Sequence, residues 1–184
     1  EVGHTIERDI LRAEAIAIPI TMVLLVVVFG SAIAAGLPLL IGVLSILGTF
    51  LVLHLLAKTT DVSVYSVNLA TSLGLGLGID YSLFMVTRYR EELARGRASY
   101  AAVVETVRTA GRTVLFSALT VLLSLGALLV FPLYFLRSFA YAGVAAVVFA
   151  AIGAVVVLPA ALAALGPRID RFDLRRPVRR LLRR

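Results

Sequence analysis

Long apolar stretches separated by short polar breaks dominate the chain. Five of them run over about 15–35, 37–57, 62–87, 113–133 and 138–165. Each reaches the roughly 20 mostly apolar residues that an α-helix needs to cross a bilayer. Their limits are marked by Gly36-Leu37-Pro38, with Pro38 as a helix start, by Asp61 as an N-cap, and by Phe131-Pro132 and Gly166-Pro167. The pattern predicts an all-α membrane protein with a five-transmembrane-helix bundle over 15–167.

Three further segments hold most of the polar residues. Residues 1–14 mix apolar and charged positions, which predicts an extracytoplasmic stalk leading into the first span. The link over about 88–112 has apolar positions at i, i+3, i+4 and i+7, at Tyr100, Val103, Val104 and Val107. This spacing is typical of an amphipathic helix at the cytoplasmic interface, and a connector with one wetted face is the alternative. Residues 168–184 form a basic tail. The chain has no initiator Met and no signal segment, so we interpret it as a piece of a longer protein.

The basic residues are unevenly distributed and predict an orientation. The link carries six of the 18 Lys and Arg residues and the tail carries eight. With five spans both segments fall on one side of the membrane, and the other four basic residues (Arg8, Arg12, Lys58 and Arg137) fall opposite. The positive-inside rule then places the N-terminus outside and the C-terminus in the cytoplasm. The net charge of +7 indicates contact with anionic membrane lipids, and no nucleic-acid partner is expected.

Composition narrows the class of protein further. Sixty per cent of the residues are hydrophobic, 16% are charged and the mean hydropathy is +1.00, values that exclude a soluble domain. The absence of cysteine excludes disulfides, thiolate metal sites and cysteine nucleophiles. His4 and His54 stand 50 positions apart with no neighbouring ligands, so no metal site and no cofactor is expected. His54 fits an interfacial position, with a proton shuttle as the alternative.

Asp80 is the sequence's clearest candidate for chemistry. It is the one acid inside a predicted span, and no basic residue shares that span. Because a charge at membrane depth costs about 2.5–3.5 kcal/mol or more, such a residue usually serves proton or ion transfer. The alternative is a permanently protonated acid that serves packing. Tyr81 follows directly, either as a second member of a proton relay or as an amphipathic packing residue.

Two further patterns surround this acid. Gly74 and Gly78 have the small-xxx-small spacing that lets helices approach closely, although glycines could also loosen the helix near Asp80. Hydroxyl side chains recur along one face of the fourth span, at Thr113, Ser117, Thr120 and Ser124. They could form a polar path for protons, or each could bond back to its own helix.

The string Gly74–Leu93, with its Asp80-Tyr81 pair, resembles the fourth transmembrane segment and following basic link of the MMPL family of the RND superfamily. Further matching strings are Gly111-Arg112-Thr113-Val114 and Phe131-Pro132. The likeness covers nearly the whole chain, and the five spans match transmembrane helices two to six of such a transporter.

This resemblance implies a function. In that family, Asp-Tyr pairs of the two transmembrane halves face each other and relay protons that drive export of lipids or lipid conjugates. It implies a proton relay at Asp80 and Tyr81, a secondary active transporter component rather than an enzyme, and the bacterial plasma membrane. The expected partners are protons, a lipid substrate, the second transmembrane half and the porter domains of the parent. A sterol-sensing-like module with a sensing or scaffolding role is the alternative, followed by a purely structural bundle.

Overall fold

The structure, a computed structural model, describes residues 19–166 except positions 22, 27 and 28. Helical residues at 19–21, 23–26 and 29 lead to Gly30, whose φ is +66°. The N-terminal part of the first predicted span lies outside the described residues, as do the predicted stalk over 1–14, His4 and the basic tail over 168–184.

Six α-helices follow Gly30. They are α1 (Ala32–Leu56), α2 (Tyr65–Ala94), α3 (Ser99–Thr106), α4 (Arg112–Gly126), α5 (Tyr134–Ile152) and α6 (Leu158–Leu165). The π-helical turns Val107–Gly111 and Gly153–Val157 join α3 to α4 and α5 to α6, and a 3₁₀ turn at Ala127–Val130 ends α4. The described residues thus contain four helical rods that are long and apolar enough to cross a membrane: Ile33–Leu56, Tyr65–Ala94, Ser99–Val130 and Tyr134–Leu165.

The predicted break between the first two spans is wrong in position. Pro38 does not start a helix but lies inside α1, and the chain bends at Gly30 instead. Only glycine adopts a φ of +66° without strain, which suits Gly30 to the bend. Pro38 removes one N–H donor from α1, a loss that helices in apolar surroundings tolerate.

The predicted N-cap of the third span is also wrong. α2 begins at Tyr65 with Val64 at its N-cap, where no side chain caps the helix, and Asp61 is exposed in the preceding turn. That turn is fastened to α5 instead, because the Ser63 backbone N–H donates to Ser138 Oγ at 3.0 Å. A contact from a distant helix takes the place of the expected local cap.

The predicted link over 88–112 is mostly helical. α2 continues to Ala94, and α3 starts only four residues later at Ser99 and runs through a π turn into α4. The expected apolar face of α3 is not buried as one stripe: Val103 is buried, whereas Tyr100 and Val104 are exposed. The helix ends at Phe131-Pro132 and at Gly166, with φ +51° at Gly166, agree with the sequence.

Small residues let the helices of the segment Leu37–Pro167 pack closely. α5 buries a series of alanines along its length, and Ser45 of α1 donates its hydroxyl to the Ala146 carbonyl of α5 at 2.9 Å. A Cβ on Gly48 would lie 2.5 Å from the Phe149 ring. Such small-residue contacts are typical of helix packing in membranes, where the hydrophobic effect does not drive helices together.

Candidate functional site

The glycine face of α2 rests on α1 and fixes the position of the residues that follow it. A Cβ on Gly78 would lie 2.6 Å from Gly42 Cα, and one on Gly74 would lie 3.1 Å from Ser45 Oγ. Gly76, between them, would meet nothing within 4 Å. The two helix backbones therefore touch at Gly78, two residues before Asp80.

Asp80 and Tyr81 point in different directions from this part of α2. Asp80 is exposed on the surface of the described bundle, whereas Tyr81 is 7% exposed. The separation follows from helix geometry, since neighbouring residues point about 100° apart. The pair thus offers one carboxyl to whatever covers the bundle and one hydroxyl to its interior.

The Tyr81 hydroxyl is the contact point between α2 and α4. It is buried and makes no hydrogen bond of normal geometry to the residues that the structure describes. Ser117 of α4 and the Asp80 carboxyl are the polar groups that interact with it electrostatically. The structure therefore brings together three of the residues that the sequence singled out. A buried hydroxyl without a full hydrogen bond is uncommon and is a feature of sites that bind water or a proton.

The other hydroxyls of the stripe are bonded to their own helix. Thr113, Thr120 and Ser124 donate to the carbonyl four residues earlier at 3.4, 3.0 and 3.0 Å. Each keeps lone pairs that can accept from water. All four stripe residues, Ser117 included, are exposed on the face of α4.

A network of charges at the C-terminal end of α2 did not emerge from the sequence reading. Glu92 is fully buried, and its carboxylate forms ion pairs with Arg88 at 2.8 Å, Arg95 at 2.5 Å and Arg97 at 2.8 Å. Arg97 also reaches Glu105 of α3 at 3.3 Å. The i, i+3 and i, i+4 spacings of Arg88, Glu92 and Arg95 were a visible signal for part of it.

Arg88 extends this network to the π turn. Its Nη1 donates to Glu91 at 2.9 Å, and its Nε donates to the Thr109 hydroxyl at 3.3 Å. Thr109 lies four residues before Thr113 and so continues the hydroxyl stripe by one turn. A cavity of about 280 Å³ opens at this junction of α2 with the start of α4.

Metal binding finds no support in this part of the chain. Within the described residues, no group of three His, Asp or Glu side chains is placed to hold a metal ion. His54 is exposed in the last turn of α1, away from Asp80 in the sequence of helices.

Known proteins similar to the chain are membrane transporters. It is 49% identical over 92% of its length to the trehalose monomycolate exporter MmpL3 of Mycolicibacterium smegmatis, and 49% identical over 92% to a putative membrane protein of Streptomyces coelicolor. It is 36% identical over 87% to the mycolic acid-containing lipids exporter MmpL11 of M. smegmatis. The chain spans 17%, 24% and 17% of the length of these relatives, respectively.

The family model described as the MMPL family matches residues 1–184. This match and the named exporters do not favour the sterol-sensing-like alternative. Together with the apolar helices, they make the chain part of a multi-pass bacterial membrane protein. The chain belongs to the MMPL family.

Proposed function

We propose that this chain is the proton-coupling half of the transmembrane domain of a lipid exporter driven by the proton-motive force. The observation that carries the proposal is the grouping of Asp80, Tyr81 and Ser117 at the contact of α2 with α4. An acid at membrane depth without an ion-pair partner is a typical proton carrier. The relatives named as lipid exporters support the transport of a lipid or hydrophobic compound.

In this proposal Asp80 binds and releases the transported proton. The Tyr81 hydroxyl can accept a hydrogen bond from the protonated acid or donate one to the carboxylate, so it can serve both states of the cycle. Ser117 connects the pair to the exposed face of α4, where Thr113, Thr120 and Ser124 offer further hydroxyls. Waters bridging these groups would complete a path for protons.

The exposed position of Asp80 supports a partner over this face. We propose that a second transmembrane half covers Asp80 and the hydroxyl stripe, and that porter domains outside the membrane bind the lipid. The arginine-rich end would contact anionic lipids on the cytoplasmic side. These parts belong to the complete transporter, in which the proposal must be tested.

Replacing Tyr81 with phenylalanine should lower proton-driven transport about 10- to 100-fold, within or below the range that positioned proton-transfer groups contribute. The substitution removes one hydroxyl and almost no apolar surface, so folding should persist. Transport by the complete exporter is measured in vesicles with an imposed proton gradient, and a protonophore should stop wild-type transport.

Tyr65→Phe is the matched control for this experiment. Tyr65 lies at the start of the same helix, is 66% exposed and packs against the Phe135 ring with centroids 6.1 Å apart. Its variant should transport at the wild-type rate. Equal rates for the two phenylalanine variants would leave Tyr81 with a packing role only.

The proposed orientation can be tested with cysteines at two exposed positions. Ala98 precedes α3 in the arginine-rich link, and Thr60 follows α1 in the turn at the other end of α2. In intact cells an impermeant thiol reagent should label Thr60→Cys and leave Ala98→Cys unlabelled, because basic segments stay in the cytoplasm. Both should react in detergent, which controls for access. Labelling in the opposite sense would invert the orientation.

A further inference from the structure

The cavity between α2 and the start of α4 has polar walls. Five of its lining residues carry hydroxyl or charged groups: Thr87, Arg88, Glu91, Thr109 and Thr113. Its volume of about 280 Å³ leaves room for several waters, since each takes about 30 Å³ in the liquid. Polar cavities of this size hold water, whereas dry cavities are lined by apolar side chains.

The cavity lies in line with Asp80 along α2. Thr87 and Glu91 follow Asp80 by seven and eleven residues, which at about 100° per residue returns both to within about 20° of its direction. On α4, Thr113 lies one helical turn before Ser117, the residue that interacts with the Tyr81 hydroxyl. The cavity therefore continues the proposed proton site along both helices toward the arginine-rich end.

Glu91 stands at the outer edge of this cavity. Its side chain is 50% exposed, while Arg88 is 26% exposed and holds the Glu91 carboxylate at 2.9 Å. Arg88 also reaches the buried Glu92 at 2.8 Å and the Thr109 hydroxyl at 3.3 Å. These contacts keep the Glu91 carboxylate at the wall, where it touches both the cavity and the surrounding solvent.

We infer that this cavity is the water-filled port through which Asp80 exchanges its proton with the arginine-rich side, and that Glu91 is the carboxyl that passes the proton to bulk water. This inference rests on the proposed function. The protonated Asp80 gives its proton to the nearest water and becomes a carboxylate. The proton moves along the waters to the Glu91 carboxylate, and Glu91 releases it to solvent. One proton crosses, and no other bond changes.

The first test compares two carboxyl-to-amide variants in the complete transporter, reconstituted in liposomes with a trapped pH dye. Glu91→Gln should slow proton flux about tenfold, the lower part of the range for a lost proton-transfer group. Glu105→Gln is the matched control, because Glu105 is also a carboxylate near this end but pairs with Arg97 and does not line the cavity. Its flux should match the wild type.

A second test reports water in the cavity without relying on Glu91. Thr113→Cys, in a background free of other cysteines, should react with a small cationic thiol reagent added on the arginine-rich side, and the reaction should block flux. Leu115→Cys is the control. Leu115 is 52% exposed but lies outside the cavity, so in a membrane its thiol should meet lipid and stay unreactive.

The outcomes separate this inference from the proposed function. Equal flux in the two glutamine variants, or an unreactive Thr113→Cys, would overturn the port while an inactive Asp80→Asn upheld the proposed function. Wild-type flux in Asp80→Asn would overturn the proposed function and the port with it. If Glu91→Gln fails to reach the membrane, the thiol reaction at Thr113 decides the matter alone.

Discussion

Asp80→Asn should abolish proton-coupled export by the complete transporter and leave its amount in the membrane unchanged. The carboxamide keeps the shape of the side chain but cannot bind and release a proton at physiological pH. The fold should tolerate the change, because Asp80 is exposed and forms no ion pair with the residues that the structure describes. The largest functional effect is therefore expected at a position that contributes little to packing.

The measurement is uptake of labelled lipid into inverted vesicles under an imposed proton gradient, with the amount of transporter checked in the same vesicles. Asp61→Asn provides the control, since Asp61 is also exposed but precedes α2 outside any helix. Its transport should equal the wild type. Substantial transport by Asp80→Asn would remove this acid from the mechanism, and loss of the protein from the membrane would give it a structural role instead.

Helix ends were predictable where the backbone itself decides them. Pro132 lacks an N–H donor and restricts Phe131 to extended backbone, so the rod Ser99–Val130 stops there whatever packs against it. Gly166 ends α6 with a positive φ for an equally local reason. Such signals lie within two or three residues and can be read from a sequence alone.

Other features depend on contacts that the sequence does not display. Pro38 is a breaker by local rules, yet α1 runs through it and the bend falls on Gly30. The meeting of Tyr81 with Ser117 depends on how α2 and α4 are rotated about their axes. Helical spacing indicated pairs around Glu92, but its complete burial arises from the approach of Arg97 after the turn.

Gly78→Ala should destabilise the protein by about 1–3 kcal/mol, the usual cost of overpacking a close contact. The new methyl group would lie 2.6 Å from Gly42 Cα and 2.7 Å from Gly42 N. Both are backbone atoms, so no side chain can move aside and the helices α1 and α2 must shift apart. Gly76→Ala is the matched control on the same helix, because its methyl group would meet nothing within 4 Å. That variant should keep or slightly raise stability, since alanine favours helix over glycine by up to about 1 kcal/mol.

Thermal unfolding of the purified transporter in detergent measures the difference between the two alanine variants. We expect a lower Tm for Gly78→Ala alone, and equal Tm values would contradict a backbone contact between α1 and α2. Transport should fall as well in Gly78→Ala, even below its unfolding temperature. Asp80 lies two residues beyond Gly78, so a shift of α2 that makes room for one methyl group also displaces the carboxyl and Tyr81 from Ser117.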